Sequence, residues 1–267
     1  MIDFISKDRY DFDDLVRLVA LLRAPGGCPW DGAQTHLSIR RNFLEEAYEA
    51  CEGFDLDDPK RMCEELGDVL LQVLFHTDIE RAAGRFTLDD VCDGVCKKLI
   101  ERHPHVFGEV EVSGVGDVLN NWDAIKRRSK GQKKGSEPML SIPRELPALM
   151  RATKIQQKAA TVGFDWDDVS GAQQKVLEEA KELSEAIESG DKEHISEELG
   201  DLLFSAVNVS RFVKCDAEEA LTAASDKFIA RFIRVEQLAR ERGIDMESAP
   251  LEKLDELWDE AKAESRK

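Results

Sequence analysis

Leu177-Glu178-Glu179-Ala180-Lys181-Glu182 is followed, after fifteen intervening residues, by Glu198-Leu199-Gly200-Asp201. The pattern is EExxE, a spacer, then ExxD. Residues three apart on a helix share nearly one face. Glu179 and Glu182 therefore form one acidic edge, and Glu198 and Asp201 form another. Ser189-Gly190-Asp191 lies between them and reads as a helix break. Two antiparallel helices would bring the edges together. Four carboxylates that face one another repel unless a cation sits between them. All-oxygen ligation of this kind suits Mg²⁺, with Mn²⁺ as a substitute.

A single such pattern would equally describe two solvated acidic helix faces, since Glu is a good helix former. The pattern occurs twice, however. Leu44-Glu45-Glu46-Ala47-Tyr48-Glu49 is followed, again after fifteen residues, by Glu65-Leu66-Gly67-Asp68. The phrase Glu-Glu-Leu-Gly-Asp-Val-Leu-Leu at 64–71 returns as Glu-Glu-Leu-Gly-Asp-Leu-Leu-Phe at 197–204. The chain holds an internal repeat.

At 267 residues there is room for two domains of this size. The basic, glycine-containing stretch 127–138 has no apolar period and reads as a linker. The division expected is 1–128, a linker over 129–145, and 146–267. A net charge of −18 opposes nonspecific binding to nucleic acid or to an anionic membrane. It does not oppose a small polyphosphate that arrives with its metal. The start of the chain lacks the pattern of a signal peptide, and the apolar run Val69 to Phe75 is too short to span a bilayer. The six cysteines form no C-x-x-C pair and read as reduced thiols, which points to the cytoplasm. Cys92 and Cys96, with His103 and His105 after them, match no common zinc spacing; cysteines among apolar helix residues read as small buried hydrophobes.

No stretch reads as a strand, so the class is all-α. Helices are expected over about 11–23, 38–53, 60–84 and from Thr87 to His103, with a short one near 117–128. The second half repeats the plan, with a lead-in around 149–159 and helices over 170–189, 191–213, 216–242 and 250–264. In the first acidic helix Phe43, Leu44, Ala47, Tyr48 and Cys51 are expected to pack. In the next, Leu66, Val69, Leu70, Val73 and Leu74 point inward.

Eight positions recur in order. In the first half they are Glu46, Glu49, Glu65, Asp68, Lys98, Arg102, Trp122 and Lys126; in the second, Glu179, Glu182, Glu198, Asp201, Lys227, Arg231, Trp258 and Lys262. Carboxylates hold a divalent metal, Lys and Arg neutralise phosphate oxygens, and a Trp stacks on a base. Each piece has an ordinary explanation as core or as a solvated stripe. Together they describe a site for a nucleoside polyphosphate.

With these residues the chain resembles MazG, the nucleoside triphosphate pyrophosphohydrolase family. The resemblance rests on the paired EExxE and ExxD motifs, Cys28-Pro29-Trp30-Asp31, Arg102-His103-Pro104-His105-Val106-Phe107, Pro147-Ala148-Leu149-Met150-Arg151-Ala152 and Val162-Gly163-Phe164-Asp165-Trp166. It covers nearly the full length. It implies tandem MazG-type helical domains that resemble four-helix bundles and are completed by dimerisation. The implied reaction is Mg²⁺-dependent hydrolysis of NTPs or dNTPs between the α- and β-phosphates, giving NMP or dNMP and pyrophosphate. The implied role is removal of nucleotides, aberrant ones included, and a part in the nutritional stress response.

Under that reading Mg²⁺ held by Glu179, Glu182, Glu198 and Asp201 would activate a water, with Lys227, Arg231 and Lys262 against the phosphoryl oxygens. Trp258 would position the base or ribose. Glu178 is the candidate general base. Lys175, one turn before Glu179, would reach a phosphate, whereas the matching position in the first half is Asn42. The second half is therefore the expected main catalytic domain. A di-iron carboxylate bundle would want Glu-x-x-His on two helices, and the sequence has none. The first half retains all four carboxylates, so full activity and a non-catalytic nucleotide-sensing role both stay open for it.

Overall fold

The computed structural model describes residues 4–118, 121–122, 125 and 136–265. The chain divides into two compact units, Met1–Lys130 and Gly131–Lys267. Among the described residues there is no strand, and the protein is all-α.

The first unit is built on a helical hairpin of α3 (His36–Asp55) and α4 (Pro59–Ala82), with α1 (Phe12–Arg23) and the short α2 (Pro29–Ala33) ahead of it. After the hairpin come α5 (Leu88–Arg102) and α6 (Pro104–Phe107). Local chemistry sets the boundaries. Asp11, Thr35 and Thr87 each form a reciprocal capping box with the residue three positions on. Asp58 accepts from the amides of Lys60 and Arg61 and starts α4. Gly84 follows α4 at φ 67°, a left-handed turn that costs glycine nothing. Val19, Ile39, Leu74 and Phe75 are buried together between α1, α3 and α4, with Leu15, Val16 and Leu88 against them. Full burial of each such side chain contributes about 2 kcal/mol.

In the second unit α7 (Glu137–Leu140) and α8 (Ala148–Ala160) lead into the hairpin of α9 (Val169–Ser189) and α10 (Lys192–Phe212). Its turn is Gly190 at φ 73°, and Asp191 caps α10 by accepting from the amides of Glu193 and His194. A second hairpin follows, α11 (Ala217–Glu241) with α12 (Leu251–Glu264). The main buried cluster lies there: Val235, Leu238, Ala239, Leu257 and Ala261. The cation-and-Trp helices thus have their own core, separate from the acidic hairpin.

Several expectations are corrected. Of the expected linker 129–145, residues 129–135 lie outside the described set, and Glu137–Leu140 is helical and packs on α8. Helix α2 was not foreseen; Pro29 sits at its first position, where no amide is needed. Leu44, Tyr48 and Leu66, expected to pack, are exposed. A lone helical hairpin has two apolar faces, and α1 covers only one of them. Cys92 and Cys96 are likewise exposed rather than buried. No described helix is long and apolar enough to cross a membrane.

Candidate active site

The hairpin turn fixes the register of α9 against α10, and this brings the two acidic edges of the second unit together. Ligand oxygens of Glu179, Glu198 and Asp201 lie within 4.8 Å of one another. Those of Glu178, Glu179 and Glu182 do so as well. Glu179 belongs to both groups and is only 5 % exposed. The four expected metal ligands of this half thus meet around one buried carboxylate. Burial, and then the neighbouring charge of Glu179, holds the Glu182 carboxyl above its ordinary range, against the pull of Lys175.

Lys175 sits one turn before Glu179. Its Nζ donates to Glu178 Oε1 at 2.7 Å and lies 2.5 Å from Glu179 Oε1. Those two contacts raise its pKa above the ordinary lysine value. The ammonium expected to reach a phosphate instead pairs with the acidic cluster, and the candidate base Glu178 carries it as a partner. His194 Nε2 lies 3.1 Å from Glu198 Oε1. Sequence reading missed His194, although its i, i+4 spacing from Glu198 was a legible signal.

In the first unit the oxygens of Glu46, Glu49 and Glu65 lie within 4.8 Å of one another. Burial, followed by the charges of Asp68, Glu49 and Glu65, pushes the Glu46 carboxyl up. Asp68 therefore faces the same cluster. Glu65 is raised by burial and by Glu49, and lowered by Arg61. Arg61 Nε lies 3.7 Å from Glu65, and its Nη2 donates to Glu52 at 2.5 Å. Arg61 is 133 residues before His194, as Glu65 is 133 before Glu198, so each half places a basic side chain one turn ahead of its ExxD glutamate. The first half places a guanidinium there and the second an imidazole.

The expected cationic and aromatic residues occupy the later helices of each unit. Arg231 lies 6.0 Å from the centre of the Trp258 ring, and Phe228 packs on the same ring at 4.9 Å. Trp122 rests near His103, ring centres 6.4 Å apart. The Nε atoms of Arg102 and of Arg231 are both buried without a hydrogen-bond partner. Among the described residues, Lys98, Arg102, Lys227, Arg231 and Lys262 make no ion pair, so within a single chain they do not neutralise the carboxylates. Lys126 lies outside the described residues.

The donor set of each cluster is oxygen only, crowded and partly buried. Carboxyls held above their ordinary range by burial and by one another mark a place where a hard divalent cation would relieve repulsion. Among the described residues no metal-competent group includes a cysteine or histidine.

Comparison with known proteins agrees with this layout. The family model of the MazG nucleotide pyrophosphohydrolase domain matches residues 34–107 and again 169–236. Each match contains an acidic hairpin and the Lys–Arg pair that follows it, but neither reaches Trp122 or Trp258. A Thermotoga maritima protein named nucleoside triphosphate pyrophosphohydrolase/pyrophosphatase MazG is 47 % identical over 94 % of this chain and 95 % of its own. The Escherichia coli K12 nucleoside triphosphate pyrophosphohydrolase is 40 % identical over 94 % of this chain and 96 % of its own. A Bacillus subtilis protein, YabN, is 48 % identical over 97 % of this chain, which spans only 53 % of YabN. With the domain present twice and full-length relatives this similar, the chain belongs to the MazG nucleotide pyrophosphohydrolase family.

Proposed function

We propose that the protein hydrolyses NTPs and dNTPs between the α- and β-phosphates, releasing NMP or dNMP and pyrophosphate, with Mg²⁺ as its metal and Mn²⁺ as a substitute. The observation that carries this reading is the convergence of Glu178, Glu179, Glu182, Glu198 and Asp201 around one buried carboxylate. The names of the Thermotoga and Escherichia relatives support the reaction class. Removal of aberrant nucleotides and a part in the stress response are the roles that fit this chemistry.

Glu179, Glu182, Glu198 and Asp201 would hold the metal. When bound, Mg²⁺ supplies charge neutralisation to the triphosphate and lowers the pKa of the attacking water. Glu178 would take the proton from that water. Lys175 now occupies Glu178 and Glu179; displaced from them, its ammonium becomes available to a phosphate. Lys227, Arg231 and Lys262 would stabilise charge on the phosphoryl oxygens, with the unpartnered Nε of Arg231 as one donor. Trp258, already flanked by Phe228, would hold the base or ribose.

The second unit is the proposed centre of turnover. In the first, Asn42 stands where the second has Lys175, so no ammonium is at hand for a phosphate, which favours metal or nucleotide binding by Glu46, Glu49, Glu65 and Asp68 without comparable turnover. Lys98, Arg102, Trp122 and Lys126 would be its substrate-facing set.

A homodimer is part of the proposal. Leu221, Ile229, Phe232 and Ile233 form an exposed apolar strip on α11, and Leu44, Tyr48 and Leu66 another on the first hairpin. Exposed large apolar side chains grouped on one helix face mark protein contacts.

The test is product analysis with each NTP and dNTP. NMP plus pyrophosphate, lost on adding EDTA, is the expected result. NDP plus orthophosphate would mean attack at the γ-phosphate and would overturn the reading of the reaction.

A further inference from the structure

A cavity of about 430 Å³ lies in the second unit between α7, α8, the 163–166 turn and α10, with Asn208 on its wall. Phe204, on the same wall, stands one helical turn after Asp201, so this cavity belongs with the acidic site. The first unit holds something that the second does not. It is the segment Arg102-His103-Pro104-His105 at the end of α5.

Helices α5 and α11 carry the same Lys–Arg pair, with Lys98 and Arg102 standing 129 residues before Lys227 and Arg231. From there the two helices part. Helix α11 runs on to Glu241, whereas α5 ends at Arg102. Pro104 is the reason. It has no amide to donate, and it disfavours helical backbone at the residue before it; His103 leaves the helix at φ −119° and ψ 57°. The turn closes tightly. The His103 carbonyl accepts from the amides of Val106 and Phe107, and a Cβ at Gly108 would come within 2.9 Å of the Pro104 carbonyl. Where the offset of 129 places Phe232 and Arg234 in the second unit, the first has His103 and His105. Phe232 stacks on Phe228, and Arg234 is tied to Glu241 and Glu264.

The turn gathers the two imidazoles beside Trp122. The centre of the His103 ring lies 5.6 Å from that of His105 and 6.4 Å from that of Trp122. His103 Nδ1 lies 2.6 Å from the Leu99 carbonyl. A carbonyl only accepts, so Nδ1 carries the proton and Nε2 of the neutral ring is left as an acceptor. Among the described residues nothing donates to that Nε2. His105 Nδ1 and Arg102 Nε are both buried without a partner. A histidine that only satisfied the last carbonyls of a helix would account for His103. It would not account for the unpaired nitrogens of His105 and Arg102, each of which costs free energy that a ligand would recover.

We propose that Arg102, His103 and His105 recognise a terminal phosphate group, the end phosphate of a nucleoside polyphosphate or of free pyrophosphate. The second pKa of such a group is about 6, so it offers ionised oxygens and one exchangeable P–OH proton. The ionised oxygens take the Arg102 Nε–H, the Lys98 ammonium and a donor from His105. One hydrogen bond joins His103 Nε2 to the remaining oxygen, with the proton on either atom. A phosphate esterified on both sides lacks that proton, so the set tells the end of a phosphate chain from its middle. Phe232 supplies no such acceptor in the second unit. The inference rests on the reading of Lys98 and Arg102 as phosphate-facing.

The test follows the ring nitrogens of the five histidines by NMR in the full chain, in EDTA. The probes are inorganic phosphate, pyrophosphate, ATP and dimethyl phosphate, and single histidine-to-glutamine substitutions assign the signals. Phosphate and pyrophosphate should shift His103 and His105 saturably and leave His36 and His76 in place. Dimethyl phosphate, an anion without a terminal phosphate, should shift neither. ATP binding more tightly than pyrophosphate names the nucleotide as the source of the end phosphate; the reverse order names the free anion. His103→Phe, which carries the residue of the second unit, should weaken phosphate binding by about tenfold, read from the His105 signal. Circular dichroism checks its fold, and the shifts in the unsubstituted chain decide the matter if it does not fold. Unmoved His103 and His105 signals with phosphate and pyrophosphate would overturn the proposal. So would equal shifts with dimethyl phosphate, or a folded His103→Phe that binds phosphate as well as the wild type. Nothing is turned over in EDTA, so failure here leaves the hydrolysis reading standing, and failure of the product analysis leaves this test standing.

Discussion

Lys175 and Glu179 face each other across one helical turn, the ammonium 2.5 Å from a carboxylate that is almost fully buried. The same ammonium serves Glu178 at 2.7 Å. In the absence of metal, Lys175 neutralises part of the cluster that a cation would otherwise neutralise. Lys175→Met should therefore lower the thermal midpoint in EDTA, because a buried charge loses its partner. Mg²⁺ should then raise the midpoint by more in the variant than in the wild type. Equal shifts in the two proteins would show that lysine and metal do not share a place.

The Glu182 carboxyl is held above its ordinary range in that cluster by burial and by Glu179. Glu182→Gln should lower kcat for NTP hydrolysis by about two orders of magnitude, a typical cost for one electrostatic contributor. It should not lower the thermal midpoint in EDTA, since it removes repulsion. Glu49→Gln, its counterpart in the first unit, should lower kcat far less, because Asn42 stands there in place of the phosphate-reaching Lys175. Equal losses from the two substitutions, measured with saturating NTP, would put turnover in both units.

Acid should loosen the first unit through a cluster that sequence reading did not detect. Glu80 is buried on α4, where Arg85 and then His36 hold its carboxyl down at about 2, against an ordinary value of 4.5. A depressed carboxyl contributes stability above its unfolded pKa and loses it as pH falls from about 4.5 toward about 2. His76, stacked on His36 at 4.9 Å, is lowered from 6.5 by burial and by His36. An unfolded histidine then binds a proton that the folded one refuses, so stability also declines as pH drops below 6.5. Glu80→Gln should flatten the part of the stability curve between pH 4.5 and 2, followed by far-ultraviolet circular dichroism. A curve identical to that of the wild type would remove Glu80 from the acid transition.

The acidic hairpins were legible because their information is local. A 3-residue spacing on each helix, a capping aspartate at 58 or 191 and a tight turn together determine which carboxylates meet. The Arg61–Glu65 and His194–Glu198 contacts were equally local but are hidden in a chain so rich in charge. Leu44, Tyr48 and Leu66 misled because an apolar period marks a face that must be covered without saying by which chain. The cavity beside Asn208 was not legible at all. It depends on volumes contributed by α7, α8, a turn and α10, which meet only in the fold.

The exposed strip on α11 supplies the last prediction. Ile229 and Ile233 are four residues apart on one face, 55 % and 48 % exposed, while Phe228 leans on Trp258. An apolar face this close to the proposed base-binding Trp should be an interface whose loss disturbs the site as well as the assembly. Among the described residues of one chain, Lys227, Arg231 and Lys262 pair with no carboxylate, which leaves room for a second copy to complete the geometry. Ile229→Asp with Ile233→Asp should halve the mass seen by light scattering and raise KM for NTP, with helix content unchanged because both side chains are already largely solvent-exposed. A wild-type mass that already equals one chain would refute the dimer. An unchanged KM in a monomeric variant would show that each chain completes its own site.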